Sequence, residues 1–225
     1  MSLFLTEELP CPDCGTAVSF DLVHSVNADR RPDLREAILD RSFQREPCPA
    51  CGHAFRVEPE LTYIDVRRGQ WIAAWPASQR ADWQALEQAS ASAFDKAFGA
   101  DAPGPARTLG EALRPRVVFG WPALAEKLIA AEAGIDDGTL ELVKAGVLRS
   151  SDELPVGDGG ELRLLGVEED TLVLGRIDAQ TEDLRYVLRL PSAAVSEIEA
   201  DAEAWAPLRA DLSAGLYQDL NRALV

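Results

Sequence analysis

The sequence predicts an α+β fold built in two parts, and three observations carry that expectation. All four cysteines of the 225-residue chain fall in two Cys-Pro-x-Cys-Gly motifs, Cys11 to Gly15 and Cys48 to Gly52. Short stretches of alternating apolar and polar residues surround those motifs, the pattern of half-buried strands. In the second half, two helix-like stretches with a short joint precede three further strand-like stretches. At 47% hydrophobic and 27% charged, the chain has the composition of a folded, water-soluble protein with a core. No apolar run reaches the ~18 residues that suggest a membrane span.

The elements follow in order. Thr16 to Val26 reads as a strand, because Val18, Phe20 and Leu22 alternate with Ser19 and Asp21. A polar turn, Asn27 to Arg31, leads to Pro32 at a favoured first helical position. Leu34, Ala37, Ile38 and the stem of Arg41 share one helix face as far as about Gln44. Pro47 stops that helix before the second motif. Strands are expected at His53 to Glu58, Leu61 to Val66 and Gln70 to Trp75, with Arg68-Gly69 as a tight turn. Ser78 to Phe98 repeats Trp83, Leu86, Ala93 and Ala97 at helical spacing.

Gly99 to Pro105 then reads as a linker, because glycine and proline break both helix and strand. Thr108-Leu109-Gly110-Glu111 has the form of a capping box. Val117 to Gly120 is a short apolar segment. Pro122 opens a helix that stops at Gly134, and Asp136 caps another over about Asp137 to Leu148. The two form an αα-hairpin. Glu161–Val167, Thr171–Arg176 and Leu184–Leu190 are spaced as a β-meander, with Gly157 to Gly160 as a turn. Helices are expected from Pro191 to Ala204, Pro207 to Ala214 and Leu216 to Leu224. The boundaries that result are a metal-binding domain over 1–77, a helix and linker over 78–106, and a C-terminal α+β domain over 107–225.

Two x2-spaced cysteine pairs suit one tetrahedral zinc ion, with Cys11, Cys14, Cys48 and Cys51 as ligands. Glycine after each second cysteine permits a positive φ, which turns backbone N–H groups toward the sulfurs. The first part is therefore expected to be zinc-ribbon-like, an antiparallel sheet plus one helix, with one Zn2+ per chain. Iron is served by the same ligands. Redox or disulfide pairs are the alternative, although neither motif has the strand-to-helix setting of a thioredoxin-like site. His53 follows Cys51-Gly52 and is an alternative ligand, but with four cysteines available it is expected beside the metal or in solvent. His24 is expected to be satisfied or exposed.

The formal charge is −16. Nucleic acid is a poor partner for such a chain, because counterion release needs clustered Lys and Arg and only Arg30-Arg31 and Arg67-Arg68 are tight. An acidic surface suits a basic protein partner better. Met1 to Glu8 has no basic region of a secretory signal, and the cytoplasm is the expected compartment. The motifs of zincins, P-loops, nucleophile elbows and dinucleotide folds are missing. The acidic groups Asp136-Asp137, Glu168 to Asp170 and Glu197 to Glu203 are expected as a helix cap, a hairpin tip and a solvated helix face. The five tryptophans are expected mostly in the core, one or two of them as interface anchors, with Trp75 and Trp121 packing the two halves together.

Residues Leu9 to Pro76 resemble the CpXC domain, a bacterial family named for its paired Cys-Pro-x-Cys motifs. The resemblance rests on both motifs, Ser25-Val26-Asn27, Pro32-Asp33-Leu34 and Tyr63-Ile64-Asp65. Arg116 to Gly120 with Leu124, Glu126 and Lys127, and the helix with Glu141, Leu142 and Lys144, resemble segments that follow this domain. The resemblance implies a fold and a metal site but supplies no reaction and no catalytic residue. The expectation is a non-enzymatic zinc-stabilised adaptor or assembly protein. A thiol redox sensor or enzyme, and a zinc-ribbon nucleic-acid-associated protein, are the alternatives.

Overall fold

A computed structural model describes residues 4–150 and 160–224. Residues Gly157 to Gly159 of the expected turn lie outside the described residues. The chain is α+β, with four sheets and seven α-helices among the described residues.

The metal-motif region is a pair of small ribbons. Strand β1 (Phe4–Pro10) runs antiparallel to β2 (Ala17–Val23), from Phe4↔Val23 to Pro10↔Ala17. The sequence reading missed β1, because its side chains are almost all exposed and show no period of two. Backbone pairing to β2 is what holds it. In β2 the expected alternation appears, with Val18, Phe20 and Leu22 buried. The strand breaks at His24, and β3 (Ser25–Asn27) joins a different sheet. Helix α1 (Pro32–Leu39) ends about a turn earlier than expected. Arg41 and Gln44 take φ of 66° and 55°, which no helix continues through. The second ribbon pairs β4 (Arg45–Pro47) with β5 (Ala54–Arg56).

The main sheet has the order β3-β6-β7-β8, formed with β6 (Leu61–Asp65), β7 (Gln70–Trp75) and β8 (Arg114–Phe119). It is mixed: β3 is parallel to β6, β7 antiparallel to β6, and β8 parallel to β7. One face packs on α1 and on α4 (Trp121–Glu132), through Val26, Ile38, Tyr63, Ile72, Leu124 and Leu128. The other face is covered by α2 (Trp83–Phe98), which follows a 3-10 turn, and by α3 (Gly104–Glu111).

The 78–106 segment is therefore a crossover between two adjacent strands of one sheet. The sheet spans the boundary expected from sequence, because parallel strands require such a crossover. The expected capping box at Thr108 lies inside α3, whose first residue is Gly104. Gly110 there has a packing role: a Cβ would sit 2.6 Å from Phe98 Cβ, so only glycine lets α3 lie this close to α2.

Helix α5 (Asp137–Ser150) follows α4, and Asp136 caps it by accepting from the Thr139 N–H at 2.9 Å. The expected meander is present as β9 (Gly160–Glu168), β10 (Thr171–Asp178) and β11 (Leu184–Pro191). Its inner face packs on α4, α5 and α6 (Ala193–Ala200) through Leu140, Leu164, Leu172 and Leu174. The single helix expected from Pro191 to Ala204 is broken at Asp201, and α7 (Ala202–Leu212) contains Pro207 rather than starting at it. A final 3-10 turn covers Leu220–Leu224.

Candidate metal centre

The four cysteines come from the two ribbons. Cys11 and Cys14 lie in the β1–β2 turn, Cys48 and Cys51 in the β4–β5 turn. Both turns have the same local form. Gly15 N–H donates to Cys11 O and Gly52 N–H to Cys48 O, each at 2.9 Å. The glycines take φ of 73° and 77°, a region that other residues enter at a cost. Cys11 N–H to Thr16 O (2.9 Å) and Cys48 N–H to His53 O (2.8 Å) close the two loops.

These loops bring all four sulfurs within 4.8 Å of one another. Cys11 Sγ lies 3.7 Å from Cys51 Sγ, and Cys14 Sγ 3.5 Å from Cys48 Sγ. Tetrahedral ligands at ~2.3 Å from one ion sit ~3.8 Å apart, so the donor set has the size and chemistry that such an ion requires. Cys11 and Cys48 are buried against Val18, Phe20 and Leu22, while Cys14 and Cys51 face outward. Hydrogen bonds from Thr16 pull Cys14 down to about 6. Cys51 is pushed up to about 12: the His53 backbone bond pulls it down, but desolvation and the neighbouring sulfurs outweigh that. Four crowded sulfurs cannot all carry charge without a cation among them.

The histidines stand aside from the cluster. The His53 ring stacks on Phe55 at 6.5 Å, and only its backbone serves the second motif. His24 Nδ1 sits 3.1 Å from Glu60 O. Trp121 joins the two halves as expected: its Nε1–H donates to Val57 O at 2.8 Å, and its ring meets Phe43 edge-on. Trp75 instead donates to Ser90 on α2. Glu197, Glu199 and Glu203 are exposed. Asp137 turns inward to Arg116 (2.6 Å) and Lys127 (3.2 Å).

A second cluster escaped the sequence reading. Glu126 on α4, Glu141 and Lys144 on α5, Arg163 on β9 and Asp219 in the C-terminal segment are all at most 2% exposed. Lys144 Nζ lies 2.8 Å from Glu126 and 2.7 Å from Glu141. Arg163 reaches Glu126 (3.0 Å), Glu161 (2.5 Å) and Asp219 (2.5 Å). The carboxylates of Glu126, Glu141 and Asp219 lie close enough together to suggest a cation site. Lys144 and Arg163 already supply that positive charge, so the cluster is an internal ion network. Glu126 and Lys127 standing alone among the apolar residues of α4 from Trp121 to Ala131 were its signal. Asp219 offered none.

Among the described residues no helix is long and apolar enough to cross a membrane. Fold and site together define a mixed α/β protein with a zinc-ribbon-like region whose four clustered cysteines could hold a metal ion. The chain belongs to the CpXC protein family, whose pattern it matches over residues 9–144, well over half its length. No curated protein and no solved structure matches it.

Proposed function

We propose that the chain is a non-enzymatic adaptor or assembly protein whose N-terminal ribbons are fixed by one zinc ion. The observation that carries this reading is the cluster itself: four thiols at tetrahedral spacing, drawn two each from separate ribbons. Such a set fills every position of a zinc ion and leaves none for substrate, the arrangement of structural rather than catalytic zinc. Each ribbon is too small to be stable alone, so binding energy would become folding energy.

Elemental analysis of protein purified under reducing conditions should give one zinc per chain. Cys48→Ser should abolish that zinc and melt the two ribbons around Val18 and Phe20, while the main sheet persists. Metal-free native protein, or a disulfide within each motif under those conditions, would reject the reading.

A further inference from the structure

Arg56 sits where the metal region meets the rest of the molecule. It is the last residue of β5, in a ribbon of three residue pairs whose turn carries Cys48 and Cys51. Its Nε–H donates to Phe43 O at 2.8 Å. One terminal nitrogen donates to both carboxylate oxygens of Glu182, at 3.2 and 2.9 Å. The other reaches Ile38 O at 3.4 Å, and the guanidinium lies 4.1 Å from the Trp121 ring centre. The two side chains are 3% and 9% exposed, so the pair is largely withdrawn from solvent.

Glu182 belongs to the β10–β11 turn of the meander, more than a hundred residues away in sequence. Three of the four described non-glycine residues with positive φ gather here: Arg41 (66°), Gln44 (55°) and Glu182 (60°). Arg41 donates to Glu182 O at 3.4 Å, and Gln44 O accepts from Val57 N–H at 2.9 Å. Such conformations persist only where surrounding contacts impose them.

We infer that Arg56 is a metal-dependent latch: with the cysteine site loaded, the β4–β5 ribbon holds Arg56 against Glu182 and fixes the meander turn, and loss of metal releases it. The inference rests on the metal reading above. A three-pair ribbon has little stability of its own, so the ion that ties its turn also sets where Arg56 stands. Once the ribbon frays, Glu182 is left as a buried carboxylate without its partner, and the strained turn relaxes toward solvent.

Hydrogen exchange read by mass spectrometry tests this on the full-length protein, with released zinc measured in the same sample after chelation. The reporters are the turn amides bonded inside Asp178 to Asp183: Gln180 and Thr181 N–H to Asp178 Oδ1, and Glu182 N–H to Asp178 O. On zinc release their exchange should quicken about 5- to 150-fold, the usual range of coupling between sites, while Leu61–Trp75 stays protected. Glu182→Gln keeps the shape but not the charge. It should retain zinc, exchange fast in the turn from the start, and respond little to chelation. Arg56→Lys should behave likewise, because lysine cannot reproduce the forked, stacked contact. Zinc released with turn exchange unchanged, or quickened equally in the main sheet, would overturn the latch and leave the metal reading standing. Protein that never carried metal would overturn both.

Discussion

Glu126 shows how one residue holds two helices and a sheet together. Its Oε1 accepts from Lys144 and Arg163, and its Oε2 accepts from the Leu164 N–H at 2.7 Å. Burial alone would raise its pKa, but Lys144 and Arg163 outweigh that and hold it below the usual range. Glu126→Ala would leave both cations buried with too few partners, and should cost about 3–5 kcal/mol in chemical denaturation. Asp219 is depressed in the same way, against its own burial, by Arg163 and the two lysines. Glu141 differs: desolvation, with Asp219 and Glu126 nearby, pushes it up to about 7 despite Lys144. The two classes set opposite pH limits. Depressed carboxylates stabilise the fold above their ordinary range, and that stability is lost as pH falls. The raised Glu141 stabilises most below its ordinary 4.5, and that contribution is lost as pH rises through about 7. Thermal stability should therefore peak on the acid side of neutrality, and Glu141→Gln should flatten the decline between about pH 5 and 7.

At the scale of elements, the crossover from β7 to β8 makes the molecule's organisation testable. Ala100, Asp101 and Pro103 are exposed between α2 and α3, so brief proteolysis should cut there first. The six paired positions of β7 and β8, and the buried contacts of Val118 with the α1 side of the core, should keep the two fragments together. Gel filtration under native conditions should give one peak, separating only in denaturant. Two independently eluting fragments would show that 1–77 and 107–225 fold separately. The metal loops make a second element-scale test. Nothing lies within 4 Å of a Cβ built on Gly15 or Gly52, so alanine there meets no clash and pays only for its positive φ. Gly52→Ala should cost about 1–2 kcal/mol and weaken metal retention without abolishing it.

At the scale of the whole molecule, the −16 charge is spread unevenly. Among the described residues, the interior network sets the acids Glu126, Asp137, Glu141, Glu161 and Asp219 against the bases Arg80, Arg116, Lys127, Lys144 and Arg163. The net negative charge therefore lies outside it, including the exposed Glu197, Glu199 and Glu203 around α6 and α7. A basic partner would be steered to that face, and its association should slow as salt rises. Reversing the three glutamates to lysine should lower its recovery from lysate at low salt, and unchanged recovery would reject the surface. The α+β class, the four-cysteine cluster, the αα-hairpin and the meander are all legible in the sequence. Each of these is written in local spacing: two residues between thiols, periods of 2 and 3.6 along strands and helices. That β8 extends the first sheet, that β1 pairs with β2, that Asp137 turns inward and that Arg56 meets Glu182 came from the three-dimensional packing alone. Those outcomes depend on contacts between residues from under ten to more than a hundred positions apart, through strand pairing and buried ion pairs whose partners no local pattern records.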